Sequence, residues 1–139
     1  MAAIRHNVVI KAPAKKIYNA ITTQEGLAGW WTTDTTAKPE VGFVNVFIFG
    51  KFRNEMKVTE LSRNKKVQWE CIQSIEEWIG TTISFELEEK ENHTLLRFVH
   101  GGWKEETDVF ASCSYDWASF LASLKSLCEK GTGTPYKNK

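Results

Sequence analysis

The sequence has almost no excess charge of either sign. Its 139 residues include 18 Lys and Arg against 17 Asp and Glu, which leaves a net charge of +1. A protein that binds nucleic acid by neutralising many phosphates needs a concentrated basic surface, and these totals supply no excess for one. Two basic clusters, within residues 11–16 and 63–66, flank an expected helix start and an expected turn, so we interpret them as solvated faces. We therefore predict no nucleic-acid partner.

Cysteines are few, and long apolar runs are absent. Cys71, Cys113 and Cys128 are odd in number and far apart, with no CxxC or Cys/His spacing that would indicate zinc. Cys113 and Cys128 fall on the apolar stripe of an expected helix, where a free cysteine behaves as a small hydrophobe. The N-terminus has no secretory signal, and no stretch approaches transmembrane length. These features predict a soluble cytoplasmic protein with no structural metal and no integral membrane association.

The sequence also lacks the motifs of the common catalytic sites. It contains no Ser/His/Asp pattern, nucleophile elbow, phosphate loop or HExxH. Of its three histidines, His100 attracts most interest because it ends a predicted strand just before a Gly-Gly-Trp turn, where it could touch a ligand or simply bond to backbone. Glu86 and Glu88 share one strand face and resemble an acid–base pair, but a solvated outer face explains them better. We predict no catalytic residue and no cofactor.

Aromatic residues are the one abundance. Six Trp, eight Phe and three Tyr make up 12% of the chain. Trp69 and Trp117 are interpreted as core residues, because an indole brings a large apolar area to a packed interior. The other four lie in or beside predicted loops, where they indicate either the lining of a concavity or plain packing; they are Trp30, Trp31, Trp78 and Trp103.

Periodicity predicts an α+β order in one domain, residues 1–131. A strand over residues 4–11 precedes a helix beginning near Pro13 and a short helix at residues 24–29. A period of two then predicts antiparallel strands, the clearest being a hairpin formed by residues 81–89 and 93–100. The strand at residues 43–49 is apolar on both faces, so it is expected to be buried on both sides or covered by a partner, and which strand faces point inward is left open.

The C-terminal helix is the best-defined element. At 100° per residue, one broad stripe contains Phe110, Cys113, Trp117, Phe120, Leu121, Leu124 and Cys128. Gly131 can end this helix in the left-handed conformation, and residues 132–139 are predicted to form a mobile tail. Because no other element is long enough, this helix is expected to cover the apolar face of the sheet.

Several segments together resemble a known family. They are IKAPAKKIYNAITTQEGLAGWW (residues 10–31), VQWECIQS (67–74), WIGTTISFELEE (78–89), TLLRFVHGGW (94–103) and CSYDWASFLASLKSLCEKGTGTPY (113–136). In this order they resemble the SRPBCC superfamily, in the branch called activator of heat-shock ATPase homologue-like. The resemblance implies a START-like helix-grip fold, in which a curved antiparallel sheet wraps around the long C-terminal helix. It also implies an internal, mostly apolar cavity between the sheet and this helix. It further implies binding of lipids, steroids, polyketides or similar molecules, with a minority of cyclases and hydrolases.

The branch takes its name from a co-chaperone that stimulates a heat-shock chaperone's ATPase and has an additional N-terminal chaperone-binding domain. This chain begins directly at its first strand, so we expect no such stimulation from it. The leading hypothesis is an apolar-ligand-binding domain without turnover. The rivals are a co-chaperone-like interaction module and a cyclase- or hydrolase-type enzyme that uses His100 or a pocket carboxylate. A homodimer is left open.

The resemblance and the loop-placed indoles together predict a cavity near the N-terminal half of the long helix. Its expected lining is Trp31, Phe47, Trp78, His100, Trp103, Cys113, Trp117 and Phe120. A rigid, empty cavity of about 300 Å³ would cost roughly 7 kcal/mol, which is comparable to the whole stability of a domain. We therefore expect the cavity to be small, wet, partly collapsed or occupied.

Overall fold

The computed structural model describes residues 2–137 and has the predicted α+β helix-grip architecture. The protein has one seven-stranded antiparallel sheet. Two short helices follow the first strand, and one long C-terminal helix lies against the concave face of the sheet. In chain order the elements are β1 (Ala2–Ile10), α1 (Ala14–Thr22), α2 (Gln24–Trp30), β2 (Thr35–Thr36), β3 (Val44–Phe49), β4 (Phe52–Ser62), β5 (Lys66–Gln73), a 3₁₀ turn (Glu76–Trp78), β6 (Thr82–Glu89), β7 (Thr94–Trp103) and α3 (Asp108–Lys130).

The sheet runs in the order β1-β7-β6-β5-β4-β3-β2, so its strands are neighbours in sequence except where β1 pairs with β7. The predicted hairpin is present, with Phe85 of β6 opposite Phe98 of β7. Alternation places these two rings in the interior, where both are at most 1% exposed. The open question about β3 is also answered: Asn45 and Phe47 are buried, whereas Val44 on the opposite face is only half-buried.

The long helix α3 begins and ends at the capping residues that its sequence provides. The Thr107 side chain accepts a hydrogen bond from the backbone N–H of Phe110 at 3.2 Å. Gly131 ends the helix with φ of 84°, a conformation that costs glycine little. Trp117, Leu121, Leu124 and Cys128 are buried, and the remaining residues of the predicted stripe are half-buried. The predicted packing of this stripe against the sheet is confirmed.

Aromatic side chains fill the space between α3 and the sheet. Five of the six tryptophans are at most 2% exposed: Trp30, Trp31, Trp69, Trp103 and Trp117. The Trp31 ring lies 4.4 Å from Phe47 and 5.1 Å from Trp117, measured between ring centroids. Plain packing therefore accounts for Trp30 and Trp103, and the deep interior of the helix grip is occupied by the protein's own rings.

The C-terminal segment differs from the mobile tail predicted for residues 132–139. The backbone N–H of Tyr136 donates to the carbonyl of Trp31 at 2.8 Å, and the backbone N–H of Thr134 donates to Ser123 Oγ at 2.7 Å. These bonds hold the segment across the end of α2 and against α3. The sequence gives no sign of them because the partners lie far away along the chain. The last two residues lie outside the described part.

Candidate functional site

The candidate site is an apolar cleft of about 280 Å³ between the N-terminal half of α3 and the β3–β5 end of the sheet. It opens to solvent beside Phe52, whose side chain is 61% exposed. Its lining residues are Trp31, Phe49, Phe52, Asn54, Ser74, Ile75, Trp78, Cys113, Asp116, Trp117 and Phe120. The expected cavity is thus present as an open cleft at one end of the grip, because aromatic rings fill the deeper space.

Indole rings in near-parallel orientation form the walls. Trp117 is stacked with Trp31 at 5.1 Å and 27°, and with Trp78 at 6.0 Å and 16°. Phe120, one turn further along α3, meets Phe49 edge-on at 6.0 Å. Each ring is held by another ring, so the walls exist without a ligand, as in most small-molecule sites.

The polar groups of the cleft are few. Asn54 is buried; its Nδ2 donates to the Phe47 carbonyl at 3.2 Å, and its Oδ1 accepts from the hydroxyl of Ser74. On α3, Cys113 Sγ accepts a hydrogen bond from Trp78 Nε1 at 3.4 Å. Burial raises the pKa of the Cys113 thiol, and the nearby carboxylates of Asp116 and Glu77 raise it further. The thiol is therefore protonated at neutral pH and is no nucleophile.

The structure brings five of the eight predicted lining residues to the cleft, namely Trp31, Trp78, Cys113, Trp117 and Phe120. The other three lie behind the wall. Phe47 is fully buried under Trp31, and Trp103 packs 4.8 Å from the His100 ring on the far side of Trp78. The structure places these three residues outside the lining of the cleft. Strand register, which decides which side chains face the cleft, could not be fixed from sequence.

His100 is fully buried within a directed chain of hydrogen bonds. Trp117 Nε1 can only donate, and it lies 3.0 Å from His100 Nδ1, so that nitrogen carries no proton. The proton is therefore on Nε2, which donates to Thr81 Oγ1 at 2.8 Å, and the Thr81 hydroxyl donates to the Trp78 carbonyl at 2.6 Å.

This series of hydrogen bonds determines the role of His100. Both ring nitrogens are engaged, and burial lowers the pKa of the imidazole to about 3. His100 is thus a neutral structural group that positions Trp117 and the turn before β6. The hypothesis of acid–base catalysis by His100 is not supported.

Six lining residues were missed by the sequence analysis: Phe49, Phe52, Asn54, Ser74, Ile75 and Asp116. Two of them carried a usable signal. Phe49 follows Phe47 by two positions on one strand face, and Asp116 lies three residues after Cys113 and four before Phe120 on α3. Phe52 and Asn54 depend on the pairing of β3 with β4, which sets Asn54 opposite Phe47 and Phe52 opposite Phe49. Ser74 and Ile75 follow β5, whose pairing with β4 sets Gln73 opposite Glu55.

Within residues 2–137, no group of three or more His, Cys, Asp or Glu side chains is placed to hold a metal ion. None of the helices in this part of the chain combines the length and apolar character needed to cross a membrane.

The helix-grip fold with an aromatic cleft defines a protein of the SRPBCC class. A family model described as activator of Hsp90 ATPase homolog 1-like protein matches residues 11–129. The chain belongs to this family, as the quoted segments indicated.

Solved structures agree. The solution structure of the Aha1 dimer from Colwellia psychrerythraea has 46% sequence identity and a TM-score of 0.89, with 96% of this chain and all of that one covered. A protein from Bacillus halodurans has 25% identity and a TM-score of 0.78, covering 93% of this chain and 98% of the other. A Mesorhizobium loti protein with 18% identity, a TM-score of 0.80 and coverage of 91% and 96% shares the fold. Among curated proteins there is no match.

Proposed function

We propose that this protein binds a small, mostly apolar molecule in the cleft between the sheet and α3, without chemical turnover. The observation that carries the proposal is the preformed cleft of about 280 Å³, which opens to solvent and has six aromatic residues in its lining. The volume lies at the low end of ligand sites, which favours a small ligand over a long lipid.

The exposed rim of the cleft supports the same proposal. Phe52 and Ile75 are 61% and 37% exposed, although both line an apolar concavity. A ligand that covers these side chains would remove apolar surface from water, which stabilises the complex by roughly 25 cal/mol per Å².

Calorimetric titration with a panel of small arylalkyl molecules in uncharged, cationic and anionic forms tests this proposal. We expect at least one class to bind, and Phe52→Ala to weaken its binding about fivefold or more because part of the contact area is lost. Tyr115→Ala is the matched control, since Tyr115 is an aromatic residue of α3 that is 75% exposed and lies outside the cleft lining. Absence of binding by every class, or equal loss in both variants, would contradict the proposal.

A co-chaperone-like interaction is the second candidate, because the family is named for activation of an Hsp90 ATPase. The same exposed rim could then contact a protein partner. An ATPase assay of an Hsp90-type chaperone with an equimolar amount of this protein distinguishes the two candidate functions. Ligand binding alone predicts no stimulation, whereas robust stimulation that Phe52→Ala abolishes would favour the second candidate.

We also propose that the chain forms a homodimer and acts in the cytoplasm. The first rests on the relative from Colwellia psychrerythraea, which is an Aha1 dimer at 46% identity. The second rests on three free cysteines, two of them buried, which suit a reducing compartment. Sedimentation at increasing concentration tests the dimer, and a species of monomer mass at every concentration would contradict it.

A further inference from the structure

We propose that the ligand of the cleft is an organic cation, an amine or quaternary ammonium group on an apolar body, whose charge is held by Asp116 and the aromatic faces beside it. This inference rests on the proposed function, since it names the class of ligand for the same cleft. It is carried by the charge and the ring composition of the lining.

Asp116 is the sole charged side chain among the residues that line the cleft. No hydrogen bond or ion pair engages its carboxylate within residues 2–137, although five other ion pairs occur there. Glu77 is a second carboxylate near Cys113, since its charge and that of Asp116 both act on the thiol. The charges acting on this lining residue are therefore both negative.

No lining residue carries a compensating positive charge. The cations adjacent in the chain to Phe52 are Lys51, in the turn between β3 and β4, and Arg53, and neither lines the cleft. Arg53 Nε donates to Glu55 at 2.9 Å, and its side chain is 59% exposed. Strand alternation directs it to the opposite face of β4 from Asn54. An anionic ligand would thus meet a carboxylate without any cation to balance it.

The rings supply the second half of the recognition. Six of the eleven lining residues are aromatic. Trp31 and Trp117 are nearly buried by stacking on other rings, so the accessible rings are Phe49, Phe52, Trp78 and Phe120. The face of an aromatic ring carries the negative part of its quadrupole and attracts cations, most strongly where water is excluded. A carboxylate beside several aromatic faces is the combination that recognises an ammonium group. Neutral apolar molecules would use the rings and leave the carboxylate to solvent.

Three probes that share a 4-phenylbutyl chain test the inference: a trimethylammonium salt, its uncharged tert-butyl isostere and a sulfonate. Calorimetry at low and at high salt gives the three dissociation constants. We expect the cation to bind about tenfold tighter than the isostere, and the sulfonate to bind weakest. Added salt should reduce the difference in affinity between the cation and the uncharged isostere, because the charge of the exposed Asp116 is screened.

Asp116→Asn keeps the shape of the side chain and removes its charge, so the preference for cation over isostere should fall about fivefold. Glu86→Gln is the matched control; Glu86 is an exposed carboxylate on the outer face of β6, and its loss should leave the preference unchanged. Equal affinities for cation and isostere, or equal effects of the two variants, would overturn the inference and leave apolar binding standing. Failure of all three probes to bind would overturn both.

Discussion

Trp117 contributes to the protein through two different parts of its side chain. Its ring separates the cleft from the core and packs 4.5 Å from Phe98, while its Nε1 satisfies His100. The ring is 2% exposed although it also lines the cleft. One residue thus joins the wall of the site to the polar chain behind it.

Replacing Trp117 by alanine should therefore lower the free energy of unfolding by about 3–5 kcal/mol. The loss combines removed apolar contact with an unpaired nitrogen on His100. Urea denaturation followed by far-ultraviolet circular dichroism measures the change. Tyr115→Ala, two residues earlier on α3 at a position 75% exposed, should change the same quantity by less than about 0.5 kcal/mol. Similar losses for both variants would show that Trp117 is no core residue.

At the scale of the element, α3 joins three parts of the molecule through Ser123. The buried Ser123 hydroxyl donates to the carbonyl of Trp30 at 2.9 Å and accepts from the N–H of Thr134 at 2.7 Å. Gly133 passes so close that an added Cβ would lie 2.4 Å from the Gly29 carbonyl. The end of α2, the middle of α3 and the C-terminal segment are therefore fixed to one another.

Ser123→Ala should release this junction. Because it leaves the Trp30 carbonyl and the Thr134 N–H without their partner, we expect a loss of about 1–3 kcal/mol in the free energy of unfolding. Amide hydrogen exchange should show faster exchange at Thr134 in particular. Ser119→Ala, at an exposed position one turn earlier on α3, is the matched control. Unchanged protection of Thr134 would contradict the assigned role.

Prediction from sequence succeeded for features that a single helix or strand determines. The stripe on α3 follows from helix periodicity alone, and Gly131 predicts the residue at which the helix ends. It failed where two distant segments decide. Ser123 lies towards the edge of the stripe, yet it is buried because the C-terminal segment covers it. His100 was predicted at the end of a strand before a turn, yet β7 continues to Trp103, and Trp103 and Trp117 enclose the imidazole. Five of the eight predicted lining residues line the cleft because α3 and the indoles mark it, whereas its strand side depends on the β3–β4 and β4–β5 registers.

At the scale of the whole molecule, the neutral His100 links stability to pH. Burial holds the pKa of its imidazole at about 3 in the folded state, below the ordinary 6.5 expected for the unfolded chain. Between these values the unfolded chain binds a proton that the folded protein does not. Stability from this group is therefore fully present above pH 6.5 and is lost as the pH falls towards 3.

We expect the free energy of unfolding to fall by roughly 2–3 kcal/mol between pH 7 and pH 4.5 through His100 alone. His100→Gln keeps an acceptor for Trp117 and a donor for Thr81 but cannot titrate, so its stability should depend less on pH by that amount. Asn92→Gln, in the turn between β6 and β7, serves as the control, because it removes no titratable group. Identical slopes for the parent and His100→Gln would show that folding does not lower the pKa of His100.

The stacked indoles also determine the tryptophan fluorescence of this protein. Trp31 lies 5.9 Å from Trp69 and 5.1 Å from Trp117, and Trp117 lies 6.0 Å from Trp78, with the ring planes within 27° of parallel in each pair. At such separations an excited indole passes its energy to its neighbour before it emits. A quencher that contacts one ring in the cleft would therefore also lower the fluorescence of the buried rings. The total tryptophan emission thus reports on contact at the cleft.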